Sequence, residues 1–358
     1  MNISNINHTI SSKKNCKKIM SNGSKSFFAA SRLFPKRLRY PATVIYAYCR
    51  LADDLVDFGG GYKAIIDLKR RLKLIYAGTP LDLGVDIEFS KIVLKYNIPK
   101  KLPEALIEGF QWDVEGRTYE TINDLSDYAA RVAGSVGAMI AALIGVNNAG
   151  VLRSACQMGV AMQLTNIARD IGEDAKNGRL YIPKEWLRQS GLLPEVWLKQ
   201  PKFCKEISSI TERLLFTAEQ CYRNATPDLY RLPRDCRASL FSARYIYSEI
   251  GQNIKQNGYN SVDKRAFVPL RRKIELIMKS FHGNLVPRFL ISLETRHVFN
   301  LTASTEFLIE SMLNNRNNKR CCTQPLSFFE RLGWVIDLFV RLAEKDRYEL
   351  IDSRHPPR

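Results

Sequence analysis

Apolar residues recur along this chain at steps of three and four, and sustained alternation is scarce, a pattern that predicts helix after helix and an all-α fold. One helix is predicted from about Pro41, a residue at home in a first helical turn, to the Gly59-Gly60-Gly61 stop. Val44, Leu51, Leu55 and Phe58 supply its apolar side, while Tyr46, Arg50, Asp53 and Asp57 step by four, three and four along a polar one. A second helix repeats that arrangement. Val160, Leu164, Ile167 and Ile171 form its apolar side, and Gln163, Asn166, Asp170 and Asp174 step by three, four and four. Packed antiparallel in a bundle, two such helices place their carboxylates face to face across a cavity. Lys176-Asn177-Gly178-Arg179 then reads as a turn, and Tyr181-Ile182-Pro183-Lys184-Glu185-Trp186 opens a further helix.

Small side chains crowd residues 129–145, among them Ala133, Gly134, Ser135, Gly137, Ala138, Ala141 and Ala142. Close helix packing accounts for most of them; space for a long apolar ligand is the functional reading, and the two are compatible. The weakly polar run 132–146 is shorter than the ~20 residues needed to span a bilayer, so no membrane crossing is predicted. With 358 residues, 45% of them hydrophobic, the chain can bury a large core. No Ser/Gly/Pro-rich linker or solenoid-like repeat interrupts the patterning, which favours one domain.

Charge narrows the partners. Lys and Arg number 54 against 36 Asp and Glu, a net +18 that attracts phosphorylated substrates, anionic lipid headgroups or polyanions. Nucleic acid is not expected, since zinc-finger spacing, an RNA-recognition aromatic signature and a basic leucine-zipper pattern are all missing. Eight cysteines without a Cys-x-x-Cys pair favour reduced thiols, and His8, His282, His297 and His355 lack zinc-ligand spacing. Residues 1–52 contain no Asp or Glu, so the first acids in the chain are those of the first stripe. Helically spaced oxygen donors suit Mg²⁺, with Mn²⁺ as an alternative. Such an ion is typically shared between one or two carboxylates and substrate phosphates, which points to a site where a diphosphate is held or expelled.

Ser24-Lys25-Ser26-Phe27, Tyr46-Ala47-Tyr48-Cys49-Arg50 leading into Asp53 to Asp57, Gln163 to Asp174, and Gly178-Arg179-Leu180-Tyr181-Ile182-Pro183 resemble, in order and approximate spacing, the motifs of the squalene and phytoene synthases. Asp-Asp-x-x-Asp alone is shared with other isoprenoid enzymes; the Asn-x-x-Arg-Asp-x-x-x-Asp element beside Gln163 is far more specific. The likeness covers roughly residues 16–275. It includes Tyr247, Tyr259 and Arg265-Ala266-Phe267-Val268-Pro269, which are similar to the family's C-terminal active-site region.

The resemblance implies a single-domain, isoprenoid-synthase-type helical bundle with a central active-site cavity. Residues 1–15 form a short disordered lead and 276–358 a helical extension, expected to pack on the core. It implies that Asp53, Asp57, Asn166, Asp170 and Asp174 hold Mg²⁺, with Asp54 beside them. Ser24, Lys25, Ser26, Arg50, Gln163, Arg169 and Tyr247 match positions that contact diphosphate or prenyl groups, and Tyr46 and Tyr128 support diphosphate binding or proton transfer. The implied reaction is head-to-head condensation of two geranylgeranyl diphosphates, through a cyclopropylcarbinyl (prephytoene) diphosphate, to 15-cis-phytoene, without NADPH. Squalene or dehydrosqualene synthesis from farnesyl diphosphate is the alternative, and a non-catalytic prenyl-binding or assembly relative is the reading from another class. A match beginning near Cys16 leaves little room for a targeting segment, so a cytoplasmic protein is expected. Leu332, Val335, Ile336, Phe339 and Leu342 make an apolar helical stripe over 328–347, which packs on the bundle or touches an anionic inner membrane face.

Overall fold

Pro35 starts the first long helix, α1 (Lys36–Leu55), in the computed structural model, which describes residues 15–20, 30–282 and 303–315. The helix thus begins at Lys36, and the predicted starting residue Pro41 lies inside it. Proline there lacks the amide that would bond the Arg37 carbonyl. The Tyr96 hydroxyl donates to that carbonyl at 3.3 Å, which lets the helix run through. Nor is the glycine triplet a plain stop. α1 opens into a π-turn, Val56–Gly60, and α2 (Gly61–Ala77) restarts at once, with φ of 94° at Gly59 and 48° at Gly61. Glycine adopts such angles without a Cβ penalty.

The chain continues through α3 (Gly84–Lys95), α4 (Lys101–Val114), α5 (Ile122–Ala129), α6 (Ser135–Ile144), α7 (Ala149–Lys176), α8 (Lys184–Gln189) and α9 (Pro194–Lys199). It ends, among the described residues, with α10 (Lys205–Leu229), α11 (Arg234–Gln256), α12 (Leu270–His282) and α13 (Glu306–Asn314). No strand occurs among the described residues, and the fold is all-α as the periodicity predicts. Arg71 on α2 forks onto Asp86 on α3 at 2.9 and 2.7 Å, and both are almost wholly buried.

Thr121 and Asp124 close a capping box at the start of α5. A second π-turn, Ala130–Gly134, joins α5 to α6, so the helical run is longer than the apolar stretch read from the sequence. Ile122–Ile144 spans 23 residues, enough by length and composition to cross a bilayer, but most of its apolar window is buried inside the protein. We read it as a core helix.

α7 is the axis of the bundle, with α6, α10 and α11 packed around it. A Cβ on Gly137 would stand 2.3 Å from the Ala155 carbonyl oxygen, and one on Gly159 would stand 2.2 Å from that of Ala133. Only glycine lets α6 and α7 approach so closely, so the small residues of 129–145 serve packing. Ala133, Gly137 and Ala141 also line the central cavity, so the same small residues border open space.

Direction is the point on which the structure departs from expectation. Ser154 on α7 bonds Asp228 on α10, and Thr165 lies 3.1 Å from Tyr222, so those two helices are antiparallel. Arg37 pairs with Asp235, and Ser239 Oγ donates to the Ala30 carbonyl at 2.7 Å, which sets the start of α1 at the bundle end where α7 also starts. The two aspartate helices therefore run parallel, not antiparallel. Both motifs lie near the C-terminal ends of their helices, and only a shared direction brings them to one mouth.

Beyond the core, Leu308, Ile309 and Met312 of α13 are buried against α4, α6 and α7, and Arg153 reaches Glu306 at 3.2 Å. The stripe read over 328–347 lies outside the described residues, as do Ser24, Lys25 and Ser26.

Candidate active site

α1 carries Tyr46, Arg50 and Asp53 to the edge of a cavity of about 340 Å³, and α7 brings Gln163 and Asn166 to the same end. The α7 face is continuous: Val151, Ser154, Ala155, Met158, Gly159, Met162, Gln163 and Asn166 alternate steps of three and one, which is one side of a helix. Phe110, Val136, Ile140 and Leu240 make the remaining wall mostly apolar, and Tyr128 and Tyr247 also face inward.

At the mouth each acidic cluster is held by arginine. Arg50 spans Asp53 at 3.0 Å and Asp54 at 2.7 Å. Arg179 meets Asp57 at 2.6 Å, joining the two clusters across the opening. Arg169 and Arg265 each contact Asp170 at 2.8 Å, and Arg265 also reaches Glu173 at 3.4 Å. Asn166 and Gln163 face one another at 3.5 Å.

Electrostatic strain persists despite these pairs. Burial, with Asp57 adding repulsion, pushes the Asp53 carboxyl up to about 6. Burial and then Asp170 push Asp174 up to about 7. The helix dipole gives no relief, because both clusters lie near C-terminal, electronegative helix ends. Charge gathered in this way calls for cations. Among the described residues no three His, Cys, Asp or Glu side chains already form a metal-binding group. Oxygen-only donors on two facing helices nonetheless fit Mg²⁺, which needs one or two carboxylates per ion when substrate phosphates complete the shell.

A second network stands behind the mouth. The Tyr128 hydroxyl donates to Asp113 at 2.8 Å and that of Tyr181 donates at 2.7 Å, while the rings of Tyr119, Tyr128 and Tyr181 pack together. Burial lifts Asp113 to about 6, against the two hydroxyl bonds that hold it down. Burial also raises Tyr46 and Tyr128, with Tyr247 and Asp113 as the next contributors respectively.

Sequence reading did not find Asp113, nor the contact of Arg265 with Asp170. Asp113 has no helically spaced acidic partner, and its two tyrosines are 15 and 68 residues away. Tyr259 does not join the site: its hydroxyl donates to Glu212 at 2.7 Å, and it does not line the cavity.

Known proteins resemble this chain. Residues 20–272 match the profile of the squalene/phytoene synthase family. A phytoene synthase of Cereibacter sphaeroides is 43% identical over 270 residues, covering 72% of this chain and 76% of that protein. One from Rhodobacter capsulatus is 44% identical over 269 residues, covering 74% and 79%. Among solved structures, a dehydrosqualene synthase crystallised with a ligand is 30% identical and superposes with a TM-score of 0.69, covering 76% of this chain and 96% of its own. The chain belongs to the squalene/phytoene synthase family of prenyltransferases.

Proposed function

We propose that this protein joins two molecules of geranylgeranyl diphosphate head to head, through a cyclopropylcarbinyl diphosphate, to give phytoene for carotenoid biosynthesis. The observation that carries the reading is one long apolar cavity opening at a doubly acidic, arginine-bound mouth. From Asn166 to Val151 its α7 face extends about 22 Å, at the ~1.5 Å rise of each helical residue.

Mg²⁺, or Mn²⁺ in its place, would be held by Asp53 and Asp57 on one side and by Asn166, Asp170 and Asp174 on the other. When bound, the cation supplies the positive charge that draws off the diphosphate leaving group. Arg50, Arg169 and Arg265 offer N–H donors to diphosphate oxygens, and Gln163 and Tyr247 border the prenyl chain near its head. Phe110, Val136, Met158 and Met162 exclude water from the carbocations, whose charge the ring faces of Tyr46 and Phe110 stabilise. Tyr128 donates to Asp113 Oδ2 and lies 3.4 Å from the Tyr181 hydroxyl, so a proton taken by its oxygen would be matched by release of its own to Asp113. The sequence of steps needs no nicotinamide cofactor, because phytoene forms without reduction.

The deciding experiment incubates purified protein and Mg²⁺ separately with geranylgeranyl and farnesyl diphosphate and identifies the hydrocarbon. We expect a forty-carbon product from the first. Turnover of farnesyl diphosphate alone would favour the squalene or dehydrosqualene reading, and binding without diphosphate release would favour a non-catalytic relative.

Proton competition gives a further prediction. Asp53 and Asp174 sit above the ordinary carboxylate value of 3.8, so the folded protein holds protons that the unfolded chain has lost. These groups therefore favour folding most at low pH, and that contribution fades as pH rises through about 6 and 7. Mg²⁺ must displace the same protons, so the rise in melting temperature on adding Mg²⁺ should be larger at pH 8 than at pH 6. An equal or larger rise at pH 6 would count against these carboxylates as ligands.

We place the protein in the cytoplasm, in peripheral contact with an anionic membrane face. Phe58 in the π-turn and Tyr62 and Ile66 on α2 are 84%, 56% and 68% exposed soon after Asp57, with Lys63 and Lys73 also on α2, and the chain carries +18. Vesicles containing phosphatidylglycerol should carry the protein in flotation and release it in high salt; no flotation at low salt would remove this part of the reading.

A further inference from the structure

One turn of α7 short of Val151, the last residue of that helix to line the cavity, Ser154 and Asp228 join across the cavity lining, whose other polar interruptions on the side away from the mouth include Ser31 and Ser239. Ser154 Oγ donates to Asp228 Oδ2 at 2.6 Å, and Arg231 donates to Asp228 Oδ1 at 3.1 Å. Both Ser154 and Asp228 line the cavity, and Asp228 is only 4% exposed, whereas the Arg231 side chain is 49% exposed on the outer side. A carboxylate in this position is held by Ser154 and Arg231 among its contacts, and a hydrocarbon pressed against it would replace neither of them. A tail that pushed past the pair would pull one of these partners away and strand a buried carboxylate, which is strongly unfavourable. An apolar tail reaching this pair therefore has reason to stop.

Distance makes the stop specific. Ser154 lies twelve residues before Asn166 on α7, which is about 18 Å at the helical rise. A fully stretched chain advances roughly 1.15 Å per backbone bond, so the fifteen carbon–carbon bonds along a geranylgeranyl tail reach about 17 Å and the eleven along a farnesyl tail about 13 Å. We propose that Ser154 and Asp228, backed by Arg231, act as the ruler of this cavity, accepting a twenty-carbon prenyl tail and refusing a twenty-five-carbon one. The proposal rests on the cavity being the prenyl site and adds what limits the tail.

The test compares kcat/KM, read as diphosphate release, for farnesyl, geranylgeranyl and geranylfarnesyl diphosphate. In the double variant Ser154→Ala with Asp228→Ala, use of the twenty-five-carbon substrate relative to the twenty-carbon one should rise by about ten-fold or more, the scale on which an apolar pocket discriminates by length. Asp228→Asn, which keeps size and polarity, should keep the wild-type ratios. Ser154→Leu narrows the cavity at this level and should shift preference toward farnesyl diphosphate by a similar factor, so the proposal stays testable if the double variant does not fold. A merely structural role would lower all three substrates together and leave the ratios unchanged, which would overturn the ruler. Failure of the wild-type protein to release diphosphate from any of the three would instead overturn the functional reading beneath it.

Discussion

Asp170→Asn is expected to fold like the parent and to lose turnover of prenyl diphosphate by about 10³-fold, the scale seen when one preorganised electrostatic contributor is removed from a charge-developing site. Asp170 has the most cationic contacts among the mouth carboxylates, with Arg169 and Arg265 both at 2.8 Å, and it also repels Asp174. Asparagine preserves its shape and can still hydrogen-bond, but it offers neither the charge that holds a divalent cation nor the anchor that orients two guanidinium groups. Asp53→Asn should behave similarly, since Asp53 occupies the facing rim with Arg50. Far-ultraviolet circular dichroism would report the fold, and diphosphate release across a Mg²⁺ titration would report the chemistry. Turnover close to that of the parent in either variant would remove these aspartates from the mechanism.

Arg71→Met should destabilise the protein by about 3–5 kcal/mol, because it strands a buried carboxylate. Asp86 is fully buried, and its two oxygens receive the forked guanidinium of Arg71 at 2.9 and 2.7 Å. The cost comes from the charge left behind more than from the lost attraction. The double variant Arg71→Met with Asp86→Leu should therefore recover most of the stability, as apolar replacements of buried ion pairs often do. Urea unfolding followed by circular dichroism tests both. A single-variant loss below about 1 kcal/mol would mean that water reaches Asp86.

Periodicity is a local property, and what it encodes was legible. The stripes Tyr46–Arg50–Asp53–Asp57 and Gln163–Asn166–Asp170–Asp174 gave the helices and the all-α fold, because residues three and four apart share a face. A stripe carries no arrow, however, and the parallel course of α1 and α7 became visible only through remote contacts such as Arg37 with Asp235 and Ser154 with Asp228. Pro41 misled for a related reason. The hydroxyl that compensates for its missing amide belongs to Tyr96, far along the chain. Asp113 was hidden because its meaning lies wholly in Tyr128 and Tyr181. Arg265 belonged to a stretch that the family likeness flagged, yet its contact with Asp170 spans 95 residues and leaves no local trace.

The glycine contacts between α6 and α7 have a practical consequence for anyone wishing to broaden the substrate range. With Gly137 set against Ala155 and Gly159 against Ala133, the backbones already touch and carry no side chain there to trim, so no width can be gained at these two glycines. Width must come from elsewhere. Phe110 on α4 and Leu240 on α11 present removable bulk to the same space, which makes them the productive positions for a library selecting branched or ring-bearing tails.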